Sequence, residues 1–194
     1  IHHFVDTKIA GNAVIERLYA NDMPAPFLSV LTDDCIARGR DYHDGGARYN
    51  TTYIMATGTG TLTDSLSAIK HHIYGGGELQ WDELLAALRD DFVGHEALRQ
   101  MLWHRTPRFG QDDDEADALM RRHFDAFHDA VDGRPNGRGG CYHVNYLSTT
   151  CHVYFGRVTG ATPDGRRAGT PLSDGASPVQ GTSTRGPTAV IRSL

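Results

Sequence analysis

Between Gly156 and Thr188 lie 33 residues that hold 7 of the chain's 22 glycines and 4 of its 8 prolines. No other feature constrains the fold as strongly, because glycine and proline at this density interrupt both helix and strand ladders. In a compact protein, so long a stretch without periodic structure is either functional or disordered. Disordered tracts are low in complexity or strongly charged, and this one is neither. Its breakers fall in turn-setting dipeptides and tripeptides, Pro163-Asp164-Gly165 and Ser177-Pro178. We therefore expect an ordered loop system that lines something.

Upstream, periodic segments alternate in type. Ile1, Phe4, Val5, Ile9, Ile15, Leu18 and Tyr19 follow the spacing of an amphipathic helix. Pro24 and Pro26 end it and open a second helix, carrying Phe27, Leu28, Leu31 and Cys35 and stopping near Gly39. Residues 45–57 are rich in Thr, Tyr and Ile and predict a buried strand. Past Gly58 and Gly60, a helix from about Thr63 carries Leu62, Leu66, Ile69 and Ile73 on one face, up to the break at Gly75-Gly76-Gly77. Leu84, Leu85, Leu88 and Phe92 mark a short helix, and Leu98, Met101 and Leu102 another. Asp112 to Glu115 place acids at the positive end of a long helix with Ala116, Leu119, Phe124, Phe127 and Val131 inward. Gly133 and Pro135 end that helix, and His143 to Phe155 predicts a second strand. The class read from this order is α/β.

A chain of 194 residues is one domain or a small pair. With 19 basic against 24 acidic side chains and a net charge of −5, it lacks the electrostatic footprint of a nucleic-acid binder. No apolar run approaches the ~20 residues that span a bilayer, so no membrane partner is expected. No signal peptide is visible, and three cysteines, an odd number, suit free thiols in a reducing cytoplasm. The chain starts Ile1-His2-His3-Phe4 inside a helical pattern and stops in the apolar stretch from Ala189 to Leu194. We expect a piece of a longer polypeptide.

Neither G-x-S-x-G nor G-x-x-x-x-G-K-[ST] occurs. Gly58-Thr59-Gly60 has the context of a dinucleotide loop, but Thr63 stands at the third glycine position, which leaves a tight strand–helix turn. His123 and His128 fall on different helix faces, and His71 and His72 are adjacent. Cys141, His143 and Cys151 would point one way on extended strands, with His152 as a fourth ligand, yet the spacing matches no standard zinc pattern. The reading is buried thiols beside hydrogen-bonded imidazoles, with no metal. Thr149-Thr150-Cys151-His152 sets hydroxyls, a thiol and a base at a strand end, where they serve either a ligand or neighbouring backbone. Arg157, Arg166 and Arg167 are loop cations that would hold a carboxylate only if turned inward.

Residues 156–169, Gly-Arg-Val-Thr-Gly-Ala-Thr-Pro-Asp-Gly-Arg-Arg-Ala-Gly, resemble the "G-K-x-T-G-A-T-P-D-G-R" segment of glycyl radical enzymes, the pyruvate formate-lyase-like family. Residues 171–181 and 186–189 continue the likeness in order. Upstream, Gly45-Gly46-Ala47-Arg48-Tyr49-Asn50 resembles "GGARYN", and the stretch from Asp64 to Lys70 resembles "DSLxAIK". Residues 108–113 resemble "K-Y-G-N-D-D", with Gln111 in place of the usual Asn. Residues 24–29, 33–36 and 148–156 look most like the family's dehydratases.

This resemblance implies part of a ten-stranded α/β barrel, in its second half-barrel. It implies a C–O bond-cleaving dehydratase of a small hydroxylated substrate, with formate C-acetyltransfer as the alternative within the family. A self-contained non-catalytic α/β binding domain is the alternative of another class. In the family, a backbone glycyl radical in "R-V-x-G-Y" generates a thiyl radical in "G-C-x-E". Neither motif occurs in residues 1–194, so none of Cys35, Cys141 and Cys151 matches the thiyl position. The expectation is a segment without the catalytic-cysteine loop and the C-terminal glycyl domain, inactive alone and with no bound cofactor. Implied partners are a small-molecule substrate, a radical-SAM activating enzyme and a second subunit in a homodimer. Ser148, Thr149 and Thr150, with Thr162 as a further candidate, are the residues expected to touch substrate.

Overall fold

The computed structural model describes residues 1–194. In chain order it begins with α1 (His2–Asp22), α2 (Pro26–Leu31), α3 (Cys35–Arg38), β1 (Thr52–Met55) and α4 (Thr59–Ile69). There follow α5 (Trp81–Arg89), α6 (Glu96–Arg105), α7 (Asp114–Val131), β2 (Tyr142–Asn145), α8 (Cys151–Val158) and α9 (Pro187–Ser193). The α/β class expected from the sequence is present. Two compact units divide the chain: Ile1–Met55 with Phe124–Asn145, and Ala56–His123 with Tyr146–Leu194.

In the first unit β1 and β2 pair in parallel, Thr52 opposite Tyr142 and Met55 opposite Asn145. A parallel pair cannot be joined by a hairpin, and here α4 to α7 intervene along the chain. Val5, Ile54, Ala130, Val131 and Tyr142 form this unit's core. The expected strand over 45–57 shrinks to four residues. Gly45 is left-handed (φ +78°), and the Asn50 amide donates to the carbonyls of Gly45 and Ala47, so 45–50 closes a turn before any ladder can start. The single helix expected from Phe27 to Gly39 is two. Asp34 takes φ +75° between them, and its carboxylate binds both Arg38 and Arg48. α1 forms where expected, but of its apolar residues only Val5 is buried, while Phe4, Ile15 and Leu18 are exposed.

The second unit packs Ala68, Leu79, Leu84, Ala87, Phe92, Leu98 and Leu102 into one cluster. Asp113 Oδ1 accepts from the N–H groups of Glu115 and Ala116, which is the helix capping read from the acidic run. Phe124, expected inward, is exposed, whereas Ala116 and Val131 are buried. α4 starts at Thr59, earlier than expected, and runs on into a wider π-helical turn over Lys70–Gly75. Ile69 and Ile73 pack against the core cluster as expected, but the earlier turns depart from the hydrophobic pattern. Thr59, Thr61, Thr63, Asp64, Ser65 and Ser67 are buried, and Leu62 and Leu66 face outward.

The expected strand from His143 to Phe155 ends at Asn145, and Cys151–Val158 is helical instead. Val, Tyr and Phe had suggested a strand, because such residues fit a pleated surface. Local bonds decide otherwise. His152 Nδ1 donates to the Thr149 carbonyl (2.7 Å) and the Cys151 N–H to Thr149 Oγ1 (3.3 Å), closing a first helical turn. Gly156 then lies flush against the backbone of Thr170 and Pro171, where a Cβ would not fit.

Candidate functional site

The Gly/Pro-rich tract is an ordered structure in three parts, all within the second unit.

The first part is a turn over 159–170, wound around Arg166. Its Nη1 donates to the carbonyls of Arg167 (3.0 Å) and Thr170 (2.6 Å), and its Nη2 to those of Thr159 (3.2 Å) and Gly160. A guanidinium has five donors in a fixed fork, so a single buried side chain organises the whole turn. Arg166 is therefore turned inward, as one reading of the loop cations required, but toward carbonyls and not toward a ligand carboxylate. Thr162 Oγ1 donates to Asp164 Oδ1 (2.5 Å) and accepts from Arg166 Nε (3.2 Å). Its hydroxyl is spent on the turn. Arg167 pairs with Glu96 (2.9 Å), and Arg157 lies over the ring of Tyr154.

Arg108 ties this turn to the helices. Its Nη1 donates to Asp64 Oδ2 of α4 (2.7 Å), its Nη2 to the Asp164 carbonyl (2.6 Å) and its Nε to the Trp103 carbonyl (3.0 Å). Asp64 Oδ1 also accepts the Phe109 N–H (2.9 Å). Asp64 and Asp164 are fully buried, and Arg108 nearly so. Burial pushes the Asp64 carboxyl up to about 7 against the pull of Arg108, and burial raises Asp164 as well. Asp164 Oδ2 has no hydrogen-bond partner. Sequence reading passed over this trio, although each member lies in a stretch that carries the family likeness: the stretch from Asp64, the one from Arg108, and the Pro163-Asp164-Gly165 turn. The signal was their recurrence in motifs, since nothing local in the sequence pairs residues 44 or 56 positions apart.

The second part, 172–177, is stitched to the start of α4 through hydroxyls. The Thr61 N–H donates to Ser173 Oγ (3.0 Å) and the Ser173 N–H to Thr61 Oγ1 (2.9 Å). Thr59 Oγ1 donates to the Gly175 carbonyl (2.7 Å), and the Gly58 N–H to the Ser173 carbonyl (3.1 Å). The tight turn read from Gly58-Thr59-Gly60 is thus present, with Gly58 left-handed. The same loop meets the junction that holds three of the expected substrate residues. The Thr149 N–H donates to Asp174 Oδ1 (3.2 Å), His152 Nδ1 lies 3.4 Å from that oxygen, and a Cβ on Gly175 would sit 3.1 Å from Ser148 Oγ. Ser148, Thr149 and Thr150 are therefore together, at the entry to α8 and not at a strand end. Ser148 and Thr150 are exposed and Thr149 is half-buried. Thr162 lies apart from them, in the Arg166 turn.

The third part, 178–186, wraps the α6–α7 connection, where the Arg185 guanidinium donates to the Gln111 carbonyl (2.8 Å). A cleft of about 390 Å³ opens between the loop parts and α6, lined by Arg99, Trp103, His152, Arg167, Val179 and Gln180. It does not include Ser148, Thr149, Thr150 or Thr162. Among the histidines, His72 Nε2 pairs with Thr106 Oγ1 and His123 Nε2 with Thr63 Oγ1. Cys151 heads α8, while Cys141 hydrogen-bonds His143, and both are half-buried where buried thiols were expected. No helix is long and apolar enough to cross a membrane.

A family model described as pyruvate formate lyase-like matches residues 1–156. Trans-4-hydroxy-L-proline dehydratase of Clostridioides difficile is 50% identical over 193 residues, covering 100% of this chain and 24% of that protein. The crystal structure of that hydroxyproline dehydratase with trans-4-hydroxy-L-proline bound superposes with a TM-score of 0.94 over 99% of this chain and 24% of that one. The glycerol-bound B12-independent glycerol dehydratase from Clostridium butyricum gives 0.91 at 37% identity, covering 99% of this chain and 24% of that one. A glycyl radical enzyme from Archaeoglobus fulgidus gives 0.91 at 38% identity, with the same two coverages of 99% and 24%. The chain spans about a quarter of the length of the curated relatives it matches.

Proposed function

The chain belongs to the pyruvate formate lyase-like family, and from that membership we propose that it forms part of a glycyl radical dehydratase eliminating water from a small hydroxylated substrate. The 50% identity along the whole chain to hydroxyproline dehydratase carries this reading and makes trans-4-hydroxy-L-proline the substrate to test first. The chain holds neither a Gly-Cys-x-Glu nor an Arg-Val-x-Gly-Tyr sequence, so hydrogen-atom abstraction falls to residues outside it. Its own task is to build walls. A radical site must exclude water and stay in one geometry. The Arg166 turn, the Arg108 tie and the hydroxyl stitching of 172–177 supply rigid backbone where a loop would otherwise move.

Ser148, Thr149 and Thr150 are the side chains we place toward substrate, hydrogen-bonding its hydroxyl or carboxylate. Thr162, in the Arg166 turn, is the further candidate. A radical-SAM activating enzyme, a homodimeric assembly and a cytoplasmic location complete the proposal, since a carbon-centred radical needs enzymatic installation and protection from oxygen.

The test is anaerobic activation of the full-length enzyme, followed by assay of water loss from trans-4-hydroxy-L-proline and spin counting by electron paramagnetic resonance. Turnover with a glycyl radical signal is expected. A radical signal with turnover only of another diol or hydroxylated acid would replace the substrate, and no radical under activating conditions would remove the enzyme class.

A further inference from the structure

One cluster in the first unit joins a nucleophile, a base and an acid, and the proposed function uses none of it. Cys141 lies in the bridge facing Pro135, just ahead of β2, and His143 lies two residues on. Residues two apart on extended chain share a face, and here Cys141 Sγ sits 3.4 Å from His143 Nε2. Asp132, directly after α7, brings Oδ1 to 2.6 Å from His143 Nδ1, and its Oδ2 lies 3.7 Å from His128 Nε2.

The hydrogen positions follow from the partners. A carboxylate only accepts, so His143 Nδ1 carries the ring proton and donates it to Asp132. The Nε2 lone pair is then left facing the thiol, and the Cys141 S–H donates to it. This is the nucleophile–base–orienter order of activated cysteines. Within the 194 residues the His143 side chain is 40% and the Asp132 side chain 33% exposed. Neither of the other two thiols is so equipped. Cys35 is buried, and Cys151 heads α8, where the neighbouring His152 turns its Nδ1 to the Thr149 carbonyl.

We propose that Cys141 is a reactive thiol, a site of S-modification by small soft electrophiles and low-molecular-weight disulfides, with His143 as its base and Asp132 as the positioning residue. In exchange with a disulfide RSSR, the Cys141 proton passes to His143 Nε2 and the sulfur forms a bond to one sulfur of RSSR. The RS–SR bond breaks and the departing thiolate takes the proton back as RSH. Cys141 is oxidised to the mixed disulfide and one equivalent of RSSR is reduced. The inference is independent of the dehydratase reading.

The test is carbamidomethylation of the full-length protein under anaerobic conditions, with each cysteine followed by peptide mass spectrometry and N-acetylcysteine as reference. At pH 6 the reference is almost wholly thiol, since ordinary thiols ionise near ~8.5. Cys141 is expected to react at least tenfold faster than the reference at pH 6. His143→Gln slows Cys141 tenfold or more at pH 6, leaving Cys151 unmoved, and Asp132→Asn acts the same way to a smaller extent. Should His143→Gln not fold, Asp132→Asn and the wild-type rate at pH 6 decide. Cys141 reacting no faster than the reference at pH 6, or at an unchanged rate in folded variants, overturns the proposal.

Discussion

At the scale of single residues, Arg108 and Asp64 form an ion pair in which both side chains are buried. Removing one partner of such a pair strands a buried charge, whereas the pair itself contributes little net stability over an apolar replacement. Its measurable signature is a dependence on pH. The folded Asp64 carboxyl titrates at about 7 and the unfolded one at 3.8. Between those values the folded chain holds a proton that the unfolded chain has released, so stability falls as pH rises through that window and is fully present below it. Asp64→Asn removes this titration. The difference in unfolding free energy between wild type and Asp64→Asn is expected to drift against the wild type by up to about 1.4 kcal/mol per pH unit from pH 4 to 7. Denaturant midpoints across that range measure it, and parallel curves would mean that Asp64 stays ionised throughout.

At the scale of elements, α4 carries the clearest departure from the hydrophobic pattern. Leu62 and Leu66 marked one face as buried, and the structure buries the opposite, hydroxyl-rich face against 172–177. Buried hydroxyls are tolerated there because each finds a partner: Ser65 Oγ and Thr63 Oγ1 donate back to the helix carbonyls of Thr61 and Thr59, and Ser67 Oγ to Pro107. Close approach is what this face provides. A Cβ on Gly60 would lie 2.6 Å from the Ser177 carbonyl oxygen and 3.1 Å from Ser173 Cβ, both backbone-anchored. Gly60→Ala is expected to cost about 1–3 kcal/mol through overpacking. Gly11→Ala in α1 has nothing within 4 Å and is expected to stabilise by about 0.5–1 kcal/mol through helix propensity alone. Thermal unfolding of the two variants side by side checks this, and equal effects would remove the packing argument. The same logic explains α8, whose position was set by Gly156 meeting 170–171 and by Thr149 closing the first turn, not by the strand-like composition of residues 151–155.

At the scale of the molecule, large apolar side chains stand uncovered on several elements: Phe4 on α1, Phe27 and Leu31 on α2, Ile36 on α3, Tyr154 and Val158 on α8. Large apolar side chains left exposed on so many elements leave apolar surface for another surface to cover. The relatives matched are about four times as long as this chain. The 194 residues expressed alone are therefore expected to bind a hydrophobic dye strongly and to associate as concentration rises, by light scattering, whereas the full-length enzyme does neither. A monodisperse, dye-silent 194-residue chain would count for a self-contained domain.

The sequence by itself determined the α/β class, most helix positions, the capping by Asp113, the order within the Gly/Pro-rich tract and, through its motifs, the family. These depend on local propensity, periodicity and turn chemistry, which nearby residues decide. Only the tertiary structure decided which face of α4 is buried, that residues 151–155 are helical, that Thr162 serves a turn, and that Asp64, Arg108 and Asp164 meet. The first and the last depend on partners far along the chain, Ser173 lying 112 residues from Thr61 and Asp164 56 from Arg108. Thr162 and residues 151–155 are instead set by side-chain bonds to close neighbours that composition does not announce. Burial is a property of what packs opposite, and periodicity names an apolar face without naming its neighbour.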